Sequence, residues 1–175
     1  MARTQSLMNQ RLFTLLRQLT ALFWVGCLLA SVQPAWAQGR PGHKFVLTLI
    51  KGNDKVVLTM DDLKALPQQS IVTKSPWYPG PVKFTGPLLR DVLAKLHLEG
   101  HDLDVLSLDD YKIQVPISDI QQYNVVIAHS LNDAPLPMKA KGPLMVAYPF
   151  DSQPELQSYV YYGRSVWQLK SITVR

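Results

Sequence analysis

Two short stretches of the 175-residue chain concentrate the side chains best able to do chemistry. The first, Thr73-Lys74-Ser75-Pro76-Trp77-Tyr78, sets polar groups and two aromatics on a segment that prolines stiffen, with Pro79 and Pro81 just beyond. The second, Tyr161-Tyr162-Gly163-Arg164-Ser165-Val166-Trp167-Gln168-Leu169-Lys170, crowds aromatics around an arginine and a lysine. Aromatic walls with a few convergent cations suit a planar, anionic small molecule, through stacking, cation–π contact and charge-assisted hydrogen bonds. On residue types alone the plainer account is favoured: Trp167, Tyr161 and Leu169 as core, Arg164 in a surface ion pair.

The other candidates are weaker. Among the four histidines, His43, His97, His101 and His129, only His97 and His101 have helical ligand spacing, and Gly100 ends any helix between them. Asp102, Asp104, Asp109 and Asp110 lack the spacing and the glycine of a calcium loop and read as solvated turn residues. Gly80, Gly86 and Gly163 are too scattered for a phosphate loop, and neither a nucleophile elbow nor a Ser/His/Asp signature appears. Spacing alone therefore names no catalytic centre and no metal site.

Charge and cysteine usage narrow the function classes. Of 18 basic residues, Arg3, Arg11 and Arg17 lie in the first 37 positions, where there is no acidic residue; the other 15 face 13 acidic ones. So small an excess argues against nucleic acid as a partner. The same first 37 residues have the three parts of a secretory signal: a basic end, the uncharged run Leu19 to Val32, and Ala35-Trp36-Ala37. The run is shorter than the roughly 20 residues of a membrane span. The expectation is a signal peptide at 1–37 and one mature domain at 38–175, periplasmic or secreted, with no span after processing. Apolar residues continue past Cys27, unlike a lipid-modified cysteine, and Cys27 is the only cysteine. The mature chain then has no disulfide, thiolate ligand or cysteine nucleophile.

The elements that must position the two stretches are short. Lys44 to Ile50 and Lys55 to Met60 are β-branched runs around Gly52-Asn53-Asp54 and predict a hairpin. Thr59, with Asp62 as capping-box partner, predicts a helix over 61–66, and Ser70 to Thr73 a strand. Pro87 as first helical residue and Leu88, Leu89, Val92, Leu93 and Leu96 predict a helix opening at Phe84-Thr85-Gly86-Pro87. Further strands are expected at 104–108, 111–115, 124–129, 144–148 and 170–174, with a helical turn at 118–123 and a turn at Leu131 to Pro135. The strands are too closely spaced for βαβ crossovers, so the fold class is α+β: a mixed sheet of about seven or eight strands with short helices.

Four blocks taken in order resemble a known family: Phe84-Thr85-Gly86-Pro87-Leu88-Leu89-Arg90-Asp91-Val92-Leu93, Leu131 to Pro137, Gly142-Pro143-Leu144 through Tyr148-Pro149, and Tyr162 through Val174. Together they are similar to the oxidoreductase molybdopterin-binding domain of the sulfite oxidase class, over about residues 44–175. The resemblance implies a sulfite-oxidase-like fold and a molybdopterin or related pterin as cofactor. It places Thr73, Lys74, Ser75, Trp77, Arg164, Ser165 and Trp167 beside that ligand. It also implies a molybdenum-ligating cysteine on the loop that here reads Val72-Thr73-Lys74-Ser75, where none stands. A serine hydroxyl is a poor ligand for a site built on thiolate, so catalytic residues and molybdenum are not expected. The length suits the small exported single-domain members. The reading is a pterin-binding accessory or sensory module without turnover, partnered by a membrane sensor or redox protein. The alternative is a periplasmic molybdenum-dependent oxidoreductase whose metal is held by the pterin dithiolene alone.

Overall fold

The computed structural model describes residues 45–95 and 97–175. The expected signal peptide and its cleavage site lie outside the described residues.

Strands β1 (Phe45–Lys51) and β2 (Asp54–Thr59) form the expected hairpin, turned at Gly52, whose φ of 57° suits a residue without a β-carbon. Alternation along β1 sends Leu47 and Leu49 into the core. Thr59 caps α1 (Met60–Lys64) in the expected capping box: its hydroxyl accepts from the Asp62 amide, and the Asp62 carboxylate accepts from the Thr59 amide. Leu63, fully buried, seats that turn on the core.

The next strands are β3 (Gln68–Thr73), β4 (Val82–Pro87), β5 (Asp102–Ser107) and β6 (Lys112–Pro116), with α2 (Leu89–Lys95) between β4 and β5. After α3 (Ile117–Gln122) come β7 (Val126–Ala128), β8 (Ser130–Leu131), β9 (Ala134–Pro135), β10 (Met145–Ala147), α4 (Tyr159–Arg164) and β11 (Leu169–Val174). They make a five-stranded sheet ordered β2-β1-β11-β5-β6, a four-stranded sheet ordered β3-β4-β8-β9, and the pair β10-β7. Among the described residues only β1 and β11 run parallel, so the fold is mixed α+β, as expected. Two apolar clusters result, a large one over the five-stranded sheet and a smaller one around Phe84, Val126 and Met145.

Two expectations need correction, and one helix was not expected. Phe84 to Pro87 do not open a helix: β4 continues through Pro87, and α2 begins at Leu89. The inward positions Val82, Phe84 and Gly86 alternate with period two, and β4 pairs with β3 on one side and β8 on the other. A β-carbon on Gly86 would lie 1.9 Å from the Ile127 carbonyl oxygen, so this glycine serves close backbone approach. The expected turn at Leu131 to Pro135 is present as the two-residue connection Asn132-Asp133 of the hairpin β8–β9, with φ of 49° and 65°. Helix α4 is not announced by its residues, because Tyr159-Val160-Tyr161-Tyr162-Gly163 ahead of Arg164 have low helix propensity. The described residues hold eleven strands rather than seven or eight, since ladders as short as β8 and β9 have no periodicity to read.

Candidate functional site

The proline-stiffened loop after β3 is fastened at its root. Thr73 is fully buried; its hydroxyl donates to the Lys74 carbonyl at 3.2 Å and accepts from the Asp151 amide at 3.0 Å. The Asp151 carboxylate in turn accepts from the Lys74 amide at 2.8 Å. These bonds tie the loop to the 3-10 turn Phe150–Ser152. Farther on, Ser75 Oγ and the Tyr78 hydroxyl are buried and have no hydrogen-bond partner among the described residues. Burial pushes the Tyr78 phenol above its ordinary pKa. An unpaired buried hydroxyl costs about 1–3 kcal/mol.

Trp77, which packs against both apolar clusters, is the centre of an aromatic group. It makes edge-to-face contacts with Phe150, Tyr162 and Trp167 at centroid distances of 5.9, 6.0 and 5.2 Å. Trp167 remains 37% exposed, and Lys141 holds its ammonium 3.6 Å from that ring's centre and 5.8 Å from the ring of Tyr78. Burial pulls the Lys141 pKa down. The lysine backbone is left-handed, φ 75°, and its carbonyl accepts from the Gln168 amide at 2.9 Å, tying it to the residue after Trp167.

Arg164 and Ser165 each make polar bonds within the protein. One guanidinium nitrogen of Arg164 donates to Asp119 Oδ2 at 2.7 Å, and the Tyr148 hydroxyl donates to the same oxygen at 3.0 Å. The guanidinium lies over the Tyr161 ring, and burial together with Asp119 raises the Tyr148 phenol pKa. Ser165 Oγ donates back to the Tyr161 carbonyl at 3.0 Å. The structure thus gathers Trp77 and Trp167, sets Ser75 on the same loop as Trp77, gives Thr73 and the Lys74 backbone to the loop's root, and commits Arg164 and Ser165 to bonds with Asp119 and α4. Two members of the group were not singled out from sequence. Tyr78 stood within the stretch but was not taken as a contact, and Lys141 has no motif; its only mark is the left-handed backbone. Among the described residues no three His, Cys, Asp or Glu side chains gather as a metal site.

The family model described as oxidoreductase molybdopterin binding domain matches residues 37–152. The chain belongs to that family, and its fold is the sulfite-oxidase-like, molybdopterin-binding one. The matched span includes the loop and Lys141 and ends before Arg164, Ser165 and Trp167. Among solved structures it is similar to the sulfane dehydrogenase SoxCD from Paracoccus pantotrophus, with a TM-score of 0.55 and 15% identity over 74% of this chain. That likeness is one of fold, and the chain spans 38% of the SoxCD chain. No curated protein matches.

The residues present fit a pterin. Trp77 and Trp167 supply apolar walls, Lys141 a cation, and Ser75 and Tyr78 two hydroxyls free to pair. They do not supply a thiolate, since Cys27 is the only cysteine of the sequence.

Proposed function

We propose that this chain is an exported domain that binds a pterin of the molybdopterin type and does not turn substrate over, serving as an accessory or sensory module for a membrane sensor or redox partner. The observation that carries the binding half is the convergence of Trp77, Trp167 and Lys141, with Trp77 on a loop that also holds two unpartnered hydroxyls. A pterin offers the planar ring, the polar edge and the phosphate that such a group receives. When bound, it would bring a dithiolene able to hold molybdenum. Ser75 and Tyr78 would pair its polar edge, the tryptophans would exclude water from its face, and Lys141 would leave the Trp167 ring to meet its charge.

The missing thiolate supports the other half. Without a charged sulfur from the protein, a bound metal is neither held nor tuned as in an enzyme built on one. The signal-like N-terminus supports export. The test is to purify the protein from periplasm, measure pterin by fluorescence after oxidative release, and measure molybdenum by elemental analysis. Pterin near one per chain with little molybdenum, and no oxidation of sulfite or reduction of sulfoxides, is expected. Stoichiometric molybdenum with turnover would establish the oxidoreductase reading instead, and absence of pterin would end both.

A further inference from the structure

On the four-stranded sheet, Gln68, His129 and Ser130 form a hydrogen-bonded relay. Gln68 Nε2 donates to the carbonyls of Leu63, Lys64 and Leu66 at 2.9, 3.4 and 2.7 Å. Carbonyl oxygens only accept, so the amide end of Gln68 is settled and its Oε1 is the atom 2.8 Å from His129 Nε2. Oε1 also only accepts, which requires the imidazole proton on Nε2. The Nδ1 lone pair then faces Ser130 Oγ at 2.8 Å, and the serine hydroxyl is the donor. From this geometry we infer that Ser130 is a nucleophile whose general base is His129, held in the required tautomer by Gln68, and that it takes the acyl group of activated carboxylic esters.

The surroundings favour that chemistry. His129 is 9% exposed, while Ser130 is only half-buried and open to a small ester. Burial, with Lys64 nearby, holds the imidazole below its ordinary pKa, which keeps Nδ1 unprotonated at neutral pH. Both residues sit on paired backbone: the His129 amide donates to the Thr85 carbonyl at 3.0 Å, its carbonyl accepts from Leu136 at 2.8 Å, and Ser130 lies between Thr85 and Pro135. A base and nucleophile on strands keep their geometry better than on a loop. In the reaction the bond from Oγ to the acyl carbon forms and the bond from that carbon to the aryloxide oxygen breaks. The hydroxyl proton passes to Nδ1 and on to the departing oxygen, with no change of oxidation state. The product is an O-acyl Ser130, which water can release.

The relay shares no residue with the proposed pterin site, so the two proposals fail separately. The test treats the purified protein with p-nitrophenyl acetate, follows p-nitrophenol release, and locates the acetyl group by peptide mass spectrometry. Acetylation at Ser130 is expected, absent in Ser130→Ala and slowed about a hundred-fold in His129→Gln, the usual scale for loss of a general base. Gln68→Met leaves the imidazole and serine in place but frees the tautomer, and is expected to slow acetylation too. It decides the matter if His129→Gln does not fold. Acetyl groups found only on lysines or other residues, or equal rates at Ser130 in the wild type and in either relay variant, would overturn the inference.

Discussion

Lys141 and Trp167 hold one another in place: the ammonium lies 3.6 Å from the ring centre, while the Lys141 carbonyl accepts the amide of the next residue, Gln168. The ammonium lies against the half-exposed indole, and among the described residues Lys141 forms no ion pair with a carboxylate. If this pair receives the phosphate of a pterin, Lys141→Met removes the charge and keeps the stem. Affinity for a phosphorylated pterin should fall roughly ten- to a hundred-fold, following the 1.5–3 kcal/mol typical of charged hydrogen bonds. Titration followed by tryptophan emission reads this; an unchanged affinity removes Lys141 from the site.

Arg164→Ala should cost stability rather than only affinity. It would leave the Asp119 carboxylate, 8% exposed, with Tyr148 alone. Removing one partner of a largely buried pair is costly because the other charge stays behind. A loss of about 2 kcal/mol corresponds to a melting temperature lower by roughly 5–10 °C in a domain of this size. Asp119→Leu on the same background should recover part of the loss. Thermal unfolding together with pterin affinity separates the roles: affinity lost at an unchanged melting temperature would assign Arg164 to the ligand.

Gly86→Ala should prevent folding or leave only insoluble protein. The new methyl would meet backbone, the Ile127 carbonyl, at a separation no flexible side chain can relieve. Soluble yield and circular dichroism measure it, and a variant that melts like the wild type would show that β4 and β7 can separate at no cost.

Among cysteine substitutions on the loop, Ser75→Cys should raise the molybdenum-to-pterin ratio and Thr73→Cys should not. Ser75 Oγ is buried and unpartnered, whereas Thr73 Oγ1 already bonds the Asp151 amide and the Lys74 carbonyl. Thr73→Cys should instead lower stability by about 1 kcal/mol through the weakened bond to Asp151. Elemental analysis of both variants decides the position.

The mature protein is expected to begin at Gln38, after Ala35-Trp36-Ala37. Intact mass of periplasmic material checks this. A species that keeps residues 1–37, or a lipid on Cys27, would contradict it.

What could be read in advance was local. The capping box of Thr59 and Asp62 and the hairpin around Gly52 are written in contiguous residues and were legible. Phe84 to Gly86 read as the lead-in to a helix that starts at Pro87, because Pro87 suits a helix start as well as a strand end. What decides between them is pairing with β3 and β8, and those partners are remote. The same holds for the candidate site: the loop residues Ser75 and Trp77 announced themselves by composition, whereas Lys141 owes its position to a left-handed turn and a bond to Gln168. The relay on the sheet was invisible for the same reason, since Gln68 and His129 meet only after β3, β4 and β8 have assembled.

The parallel pairing of β1 with β11 bears on the order in which this protein can be assembled. Thr48 finds its neighbour only when Ser171 arrives, and β11 also joins β1 to β5. A chain delivered N-terminus first therefore has two separate half-sheets, β2-β1 and β5-β6, until its last strand slots between them. Closing so distant a contact is slow. Any process that threads the polypeptide through a narrow channel gains from that delay, because the domain has no complete central sheet to unfold until the C-terminal strand is in place.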